Sequence, residues 1–344
     1  MTLQSFKHNN QKVGQAEICE WYNNKAGAVS ISFDDAGYSQ FEYAYPIMQK
    51  YGIKGTFSLV GEWTNDVPSY SSETDMFQIK KMCWDNIVEL HKNGHEIAAH
   101  GYRHIKYGRE DHKDSLILQM LQIKNLIESK TNAEVYTMHY PYSYTSTKII
   151  NATKEAGYLF GRTAGDSNNL STPSNFFLLA SVPILNSTQP SMKDIDTYVE
   201  NAKGRWLILM YHHFFTDQSK EMTIMRHHKV TNTYSVLPEL FDQQMEILHK
   251  SDCWIAPIAH VGKYTHERNN TGISTKYCGK SITVSTQTSL NTKVYDHALS
   301  IKIEIPWSKV KIEGSSSDGT YVVQNNTLIF NTMPGSTVKI RKVK

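Results

Sequence analysis

Cysteine is scarce in this chain, charge of one sign never accumulates, and no long apolar stretch occurs. Four cysteines stand among 344 residues, at Cys19, Cys83, Cys253 and Cys278. No two share C-x-x-C spacing, so neither a zinc ribbon nor a disulfide framework is indicated, and buried free thiols are expected. The 36 Lys and Arg nearly balance 33 Asp and Glu, for a formal charge of +3. That balance leaves no footprint for a polyanion, and no nucleic-acid partner is expected. The longest apolar run, WLILMY at 206–211, falls far short of the roughly 20 residues that cross a bilayer, so no membrane span is expected. The opening MTLQSFKHNN has neither the basic region nor the apolar region of a secretory signal. Location is thus open between the cytoplasm and, with a signal outside this sequence, the periplasm or exterior; the second is preferred. Oligomeric state is left open.

What the chain does have is a long alternation of short β-rich apolar runs with segments of helical period. The runs are VSISF, GTFSLV, HEIAA, VYTMHY, LFGRTA, FFLLASVPI, WLILMY and CWIAPI, with helices expected between them, as at 114–130 and 237–251. This is the pattern of β/α units, and an α/β barrel and a doubly wound sheet both fit it. In either architecture reactive groups gather at the carboxyl ends of the strands. After ERNNTGISTKYCGK the texture changes to alternating SIKIEI, KVKIE, TYVVQ, TLIFN and TVKIR, separated by turn residues. A small all-β unit of sandwich-like pattern is expected there. The boundary is placed near 268–278, giving domains 1–268 and 269–344.

Where the first run ends, in SFDDA, Asp34 and Asp35 stand side by side. Asp also punctuates turns through its own backbone hydrogen bonds. Adjacent carboxylates repel, however, and a site that keeps both often supplies a cation or splits their pKa values. The third run continues GHEIAAHGYRH, with His100 and His104 spaced i, i+4, a separation that lets two imidazoles share a metal. With 15 histidines in the chain, one such pair would mean little alone. Both motifs close a strand, and two His with one Asp make a plausible zinc site with a position left for water.

Taken in order, SFDDA, GHEIAAHGYRH, MHYPYS and, more loosely, GDSNNL and LILMYHH resemble the five motifs of the polysaccharide deacetylases, carbohydrate esterase family four. The likeness spans roughly residues 28–265. It implies a distorted β/α barrel and a metal held by Asp35, His100 and His104, with Asp34 as general base and His212 as general acid. The Tyr142 backbone N–H is implied as an oxyanion donor. The metal would be Zn²⁺, with Co²⁺, Mn²⁺, Ni²⁺ or Fe²⁺ as alternatives. The implied reaction removes acetyl groups, N-acetyl first, from a polysaccharide or oligosaccharide. Alternatives are an O-acetyl xylan-type esterase and a non-catalytic carbohydrate-binding relative. Tyr38, Trp63, Tyr102, Pro141, Tyr144 and His139 are assigned to substrate binding.

Departures from the family pattern also stand out. His139 occupies the place of an arginine that orients the base, while Asn169 and Leu170 replace an aspartate and a tryptophan of the fourth motif. Asp166 is a candidate substitute. Of the adjacent pair His212 and His213, strand alternation lets only one look into the site, and the motif aligns on His212.

Overall fold

The computed structural model describes residues 13–67, 79–107, 112–165, 168–185, 192–216, 234–314 and 321–343. It divides into two units, Ala26–Gly262 and Met1–Lys25 with Lys263–Lys344. Strand β1 (Ala16–Ile18) belongs to the second unit. All eight apolar runs of the first unit form strands: β2 (Gly27–Phe33), β3 (Thr56–Leu59), β4 (Glu96–Ala99), β5 (Thr137–His139), β6 (Phe160–Ala164), β8 (Leu179–Pro183), β9 (Arg205–Tyr211) and β12 (Cys253–Ile255). Three two-residue strands lie among them: β7 (Asn169–Leu170), β10 (His213–Phe214) and β11 (Ser235–Val236).

Parallel pairing runs β2, β3, β4, β5, β6, β8, β9 and returns from β9 to β2, with Ala28 opposite Trp206 and Phe33 opposite Tyr211. Seven strands therefore close into a barrel, and β12 pairs with Gly27–Val29 beside the first half of β2. Every residue of β2 is buried, because strands of such a barrel face side chains inside and helices outside. This is the α/β barrel expected, with the doubly wound sheet excluded by the β9–β2 closure.

The expected helices are present at Lys113–Thr131 and Pro238–Lys250. The first buries Leu116, Met120, Ile123 and Ile127, one stripe at i, i+4, i+7 and i+11. Each fully buried aliphatic side chain is worth about 2 kcal/mol. That helix stops at Asn132, whose φ of 57° is the left-handed cap that Asn tolerates. At the amino end of β4, Glu96 is buried and accepts from Thr56 Oγ1 at 2.8 Å, from Thr137 Oγ1 and from the Ala259 amide at 2.9 Å. A carboxylate at the first turn of helix Ile258–Asn269 complements its dipole, which makes this end of the barrel a structural plug.

The second unit holds two antiparallel four-stranded sheets. One has the order β1, β15 (Leu299–Glu304), β18 (Thr327–Thr332), β17 (Tyr321–Gln324). The other has the order β13 (Thr271–Cys278), β14 (Ser281–Thr288), β19 (Thr337–Lys342), β16 (Val310–Gly314). Alternate residues are buried, as in Ile282 and Val284, Leu328 and Phe330, and Val338 and Ile340.

Two details differ from the sequence reading. Strand β13 occupies the segment assigned to the boundary, and Ala16 pairs opposite Ile303, so β1 joins the C-terminal strands. A three-residue strand carries too little alternation to declare its sheet. Cys19, Cys83 and Cys253 are buried free thiols as expected, but Cys278 is exposed. In this same unit Glu267 is buried. Its Oε1 accepts from the His297 amide at 2.8 Å and its Oε2 has no hydrogen-bond partner among the described residues. Burial, reinforced by Asp296, pushes this carboxyl up to about 8. Among the described residues no helix is long and apolar enough to cross a membrane.

Candidate functional site

The carboxyl ends of β2, β4 and β9 bring the motif residues together. Asp34 and Asp35 follow β2 directly, His100 follows β4, and His212 follows β9. The turn after β2 is clipped to the end of β9: the Asp34 amide donates to Tyr211 O at 3.0 Å, and Gln40 Nε2 donates to Asp34 O at 2.5 Å and to His212 O at 2.6 Å. The backbone is left-handed at Asp35 (φ 72°), Ala36 (51°), His104 (50°), Tyr142 (55°) and Ser143 (55°). Non-glycine residues reach this region at a cost of roughly 1–2 kcal/mol each, and such strain clusters at working sites.

Asp35, His100 and His104 each offer one ligand atom, all within 4.8 Å of one another. Asp35 Oδ1 lies 3.5 Å from both His100 Nε2 and His104 Nε2, and these two nitrogens are 3.2 Å apart. His100 Nδ1 is 2.8 Å from His139 O. That bond assigns the proton to Nδ1 and turns the Nε2 lone pair toward the cluster, the usual support of a metal-binding histidine. Asp35 Oδ1 is buried without a hydrogen-bond partner among the described residues. Burial and the adjacent His100 push His104 down to about 4, against the pull of Asp35 and Asp34. Burial would raise the Asp35 carboxyl, but His104, Lys81, His212 and His100 together hold it well below the ordinary range. A buried carboxylate oxygen facing two imidazole nitrogens is a donor set that fits a divalent ion.

Asp34 sits in a different setting. Its Oδ1 takes His139 Nδ1 at 2.9 Å and Ser58 Oγ at 3.0 Å, and Arg162 Nη2 bonds Oδ1 and, at 2.5 Å, Oδ2. His100 Nε2 and His212 Nε2 stand 3.8 and 3.9 Å from Oδ2. Burial favours the neutral acid here, and the Arg162 guanidinium outweighs it, with help from His100 and His139, so the carboxyl stays far below its usual range. Burial and Arg162 push His139 down to about 3.

Above these groups is a pocket of 480 Å³ walled by Tyr142, Ser143, Leu185, Met210, His212 and Tyr234, among others. Tyr142 is 55% exposed, with its ring 4.6 Å from that of His104. Tyr144 is also exposed. Trp63, expected on the surface, is only 4% exposed; its ring supports His104 at 4.9 Å and carries Lys81 Nζ at 4.2 Å. Tyr102 packs so closely over Gly61 that a Cβ there would stand 2.4 Å from its ring. Tyr38 lies under Lys80 Nζ at 3.9 Å. Pro141 and His139 are buried, His139 behind Asp34 rather than on the pocket wall. None of these five is on the pocket wall; Tyr38 and Tyr102 are half-buried, while Trp63, Pro141 and His139 are buried, because turn residues in a barrel's loops also fill the layer beneath them.

His212 and His213 both border the pocket. Strict alternation fails since β9 ends at Tyr211 and β10 begins at His213. His212 faces Asp34, whereas His213 lies against Gly37, where a Cβ would stand 3.1 Å from its Nδ1. Burial lowers the His212 pKa, and Asp34 and Asp35 oppose the shift. Its Nδ1 has no hydrogen-bond partner among the described residues.

Asn169 does not stand beside it. It pairs antiparallel with Trp206, five residues before Tyr211, or roughly 16 Å away at 3.3 Å per residue. There it bonds Ala180 N and O. Asn169 and the exposed Leu170 therefore brace the start of β9, and Asp166 lies outside the described residues. Sequence reasoning missed Arg162, a lone cation inside LFGRTA with no spacing signal to mark it.

Residues 22–161 match the family model described as polysaccharide deacetylase, which bears out the resemblance read from the motifs. The Bacillus subtilis protein YxkH, named for the polysaccharide deacetylases, is 24% identical over 135 residues, covering 39% of this chain and 44% of YxkH. Among solved structures, Streptococcus pyogenes deacetylase PplD in complex with acetate is 18% identical at a TM-score of 0.41, over 50% of this chain and 69% of that one. Peptidoglycan deacetylase PdaC from Bacillus subtilis is 13% identical at 0.42, over 72% and 94%. At these values the structural likenesses add nothing to the fold described above.

Proposed function

From the polysaccharide deacetylase match of residues 22–161, we propose that this chain is a metal-dependent hydrolase that removes acetyl groups from a carbohydrate, N-acetyl groups first. The observation that carries the reading is the convergence of Asp35, His100 and His104 beside a separately anchored Asp34 at the floor of one pocket. Asp35, His100 and His104 would hold the ion. A bound Zn²⁺ or similar ion supplies Lewis acidity and makes water a nucleophile near neutral pH.

The rest falls to the chain's own groups. Asp34, kept ionised by Arg162, accepts the proton of the attacking water through Oδ2. The Tyr142 N–H donates to the carbonyl oxygen as it gains charge. His212 Nε2 delivers a proton to the leaving nitrogen. Tyr142 and Tyr144 offer exposed rings to the apolar faces of sugar rings. The C-terminal unit serves, on this reading, as a sandwich-like accessory domain, and the protein works outside the cytoplasm.

One observation favours ester substrates as a second reading. His212 Nδ1 has no carboxylate to support its charged form among the described residues, and an alkoxide leaves with less acid assistance than an amine. Acetate release from chitooligosaccharides, peptidoglycan and acetylated xylan tests both. Release from the amino-sugar substrates supports the first reading, release from xylan alone the second, and none from any of them sinks both.

A further inference from the structure

His139 on β5 and Arg162 on β6 are register partners, directly opposite across one rung of the barrel. Opposed residues on neighbouring strands present their side chains to the same face, and both of these end on Asp34: His139 Nδ1 on Oδ1, Arg162 Nη2 on both oxygens. Arg162 is 1% exposed, and Asp34 is its one ion-pair partner among the described residues. A guanidinium buried this deeply is costly unless its partner carboxylate stays in place. The interaction therefore fixes Asp34 as firmly as it neutralises Arg162. Nη1, the other arm, rests 2.7 Å from Met210 Sδ on β9, so the guanidinium is held between β6 and β9 with one nitrogen left for Asp34.

The geometry points to Arg162 as the positioning residue for Asp34, with His139 as its cross-strand partner on the same carboxylate. The longer side chain brings its terminal nitrogen to Asp34 from β6, and so supplies a guanidinium although the β5 position where the motif has its arginine carries His139.

The inference rests on Asp34 acting as the base, and the test separates the two. Arg162→His should lower kcat for acetate release by about 10²-fold, the effect expected of a misplaced catalytic group, while KM and bound zinc per chain stay near the parent values. Arg162→Lys, which keeps the charge, should retain more kcat than Arg162→Met, with KM and bound zinc alike in the two. Lys and Met variants of equal kcat would overturn the inference. An Asp34→Asn protein with parental turnover would instead overturn the reading of Asp34 beneath it.

Discussion

Consecutive left-handed residues occur at Asn325 and Asn326 in the second unit, and at Asp35–Ala36 and Tyr142–Ser143 in the barrel. The backbone shape is similar, but its causes differ. Gln324 pairs opposite Thr327, so the two asparagines form a two-residue hairpin loop, and Asn is among the few residues that local chemistry favours there. Asp35 shares part of that preference, but Ala36, Tyr142 and Ser143 do not. Those turns are imposed from outside: the Met82 amide donates to Ala36 O at 2.8 Å, and the Ala164 amide donates to Ser143 Oγ at 2.8 Å. The hairpin turn is one its own residues stabilise, whereas the turns held by distant segments place Asp35 and Tyr142 at the pocket.

The largest effect that would test this contrast is expected from removing metal. Chelation should abolish acetate release, and Zn²⁺ or Co²⁺ should restore it; full turnover in a preparation shown by atomic absorption to be metal-free would break the comparison. His100→Ala should bind no stoichiometric metal, since too few donors remain. Asp34→Asn comes next, with metal retained and kcat lowered by roughly 10²-fold or more. Retained turnover would mean that another group takes the proton.

A smaller and more selective change is expected at the acid. His212→Ala should slow amide substrates by about 10²-fold and spare an activated acetyl ester, while His213→Ala should do neither. Greater damage from His213→Ala would move the acid to the residue lying against Gly37. The smallest effect on turnover belongs to the hairpin. Asn325→Val should cost roughly 1–2 kcal/mol in denaturant unfolding and leave acetate release unchanged. Lost turnover in the folded variant would show that the two kinds of turn are not independent.

The sequence discloses these regions unequally, for physical reasons. The seven barrel strands and β12 beside them are legible because strands packed under helices read as short apolar runs. Asp34, Asp35, His100 and His104 are legible because they stand at strand ends in fixed spacing. Arg162 is not, since its partner is 128 residues away and a single cation within a strand resembles any solvent-facing residue. Strands β13 and β14, with sequences TGISTKYC and SITVSTQT, are concealed by hydroxyl side chains that fit loop and strand alike. Trp63 was misplaced because a short loop does not record which of its residues lies underneath.

Glu267 carries a consequence for proton balance. A glutamate free in the unfolded chain titrates near 4.5, and in the folded unit near 8; Asp296 and Lys263 face it with opposite sign, beside Tyr295 and His297. Between those values the folded chain holds a proton that the unfolded chain has released, so folding takes one up from solvent. The stabilisation linked to that uptake is complete below pH 4.5 and is lost as pH rises through 8. Unfolding enthalpies measured at pH 6.5 in buffers of different ionisation heat also carry the protons of the buried histidines, so the test is the variant: Glu267→Gln should change the number of protons released on unfolding by close to one, and an unchanged number would remove this role from Glu267.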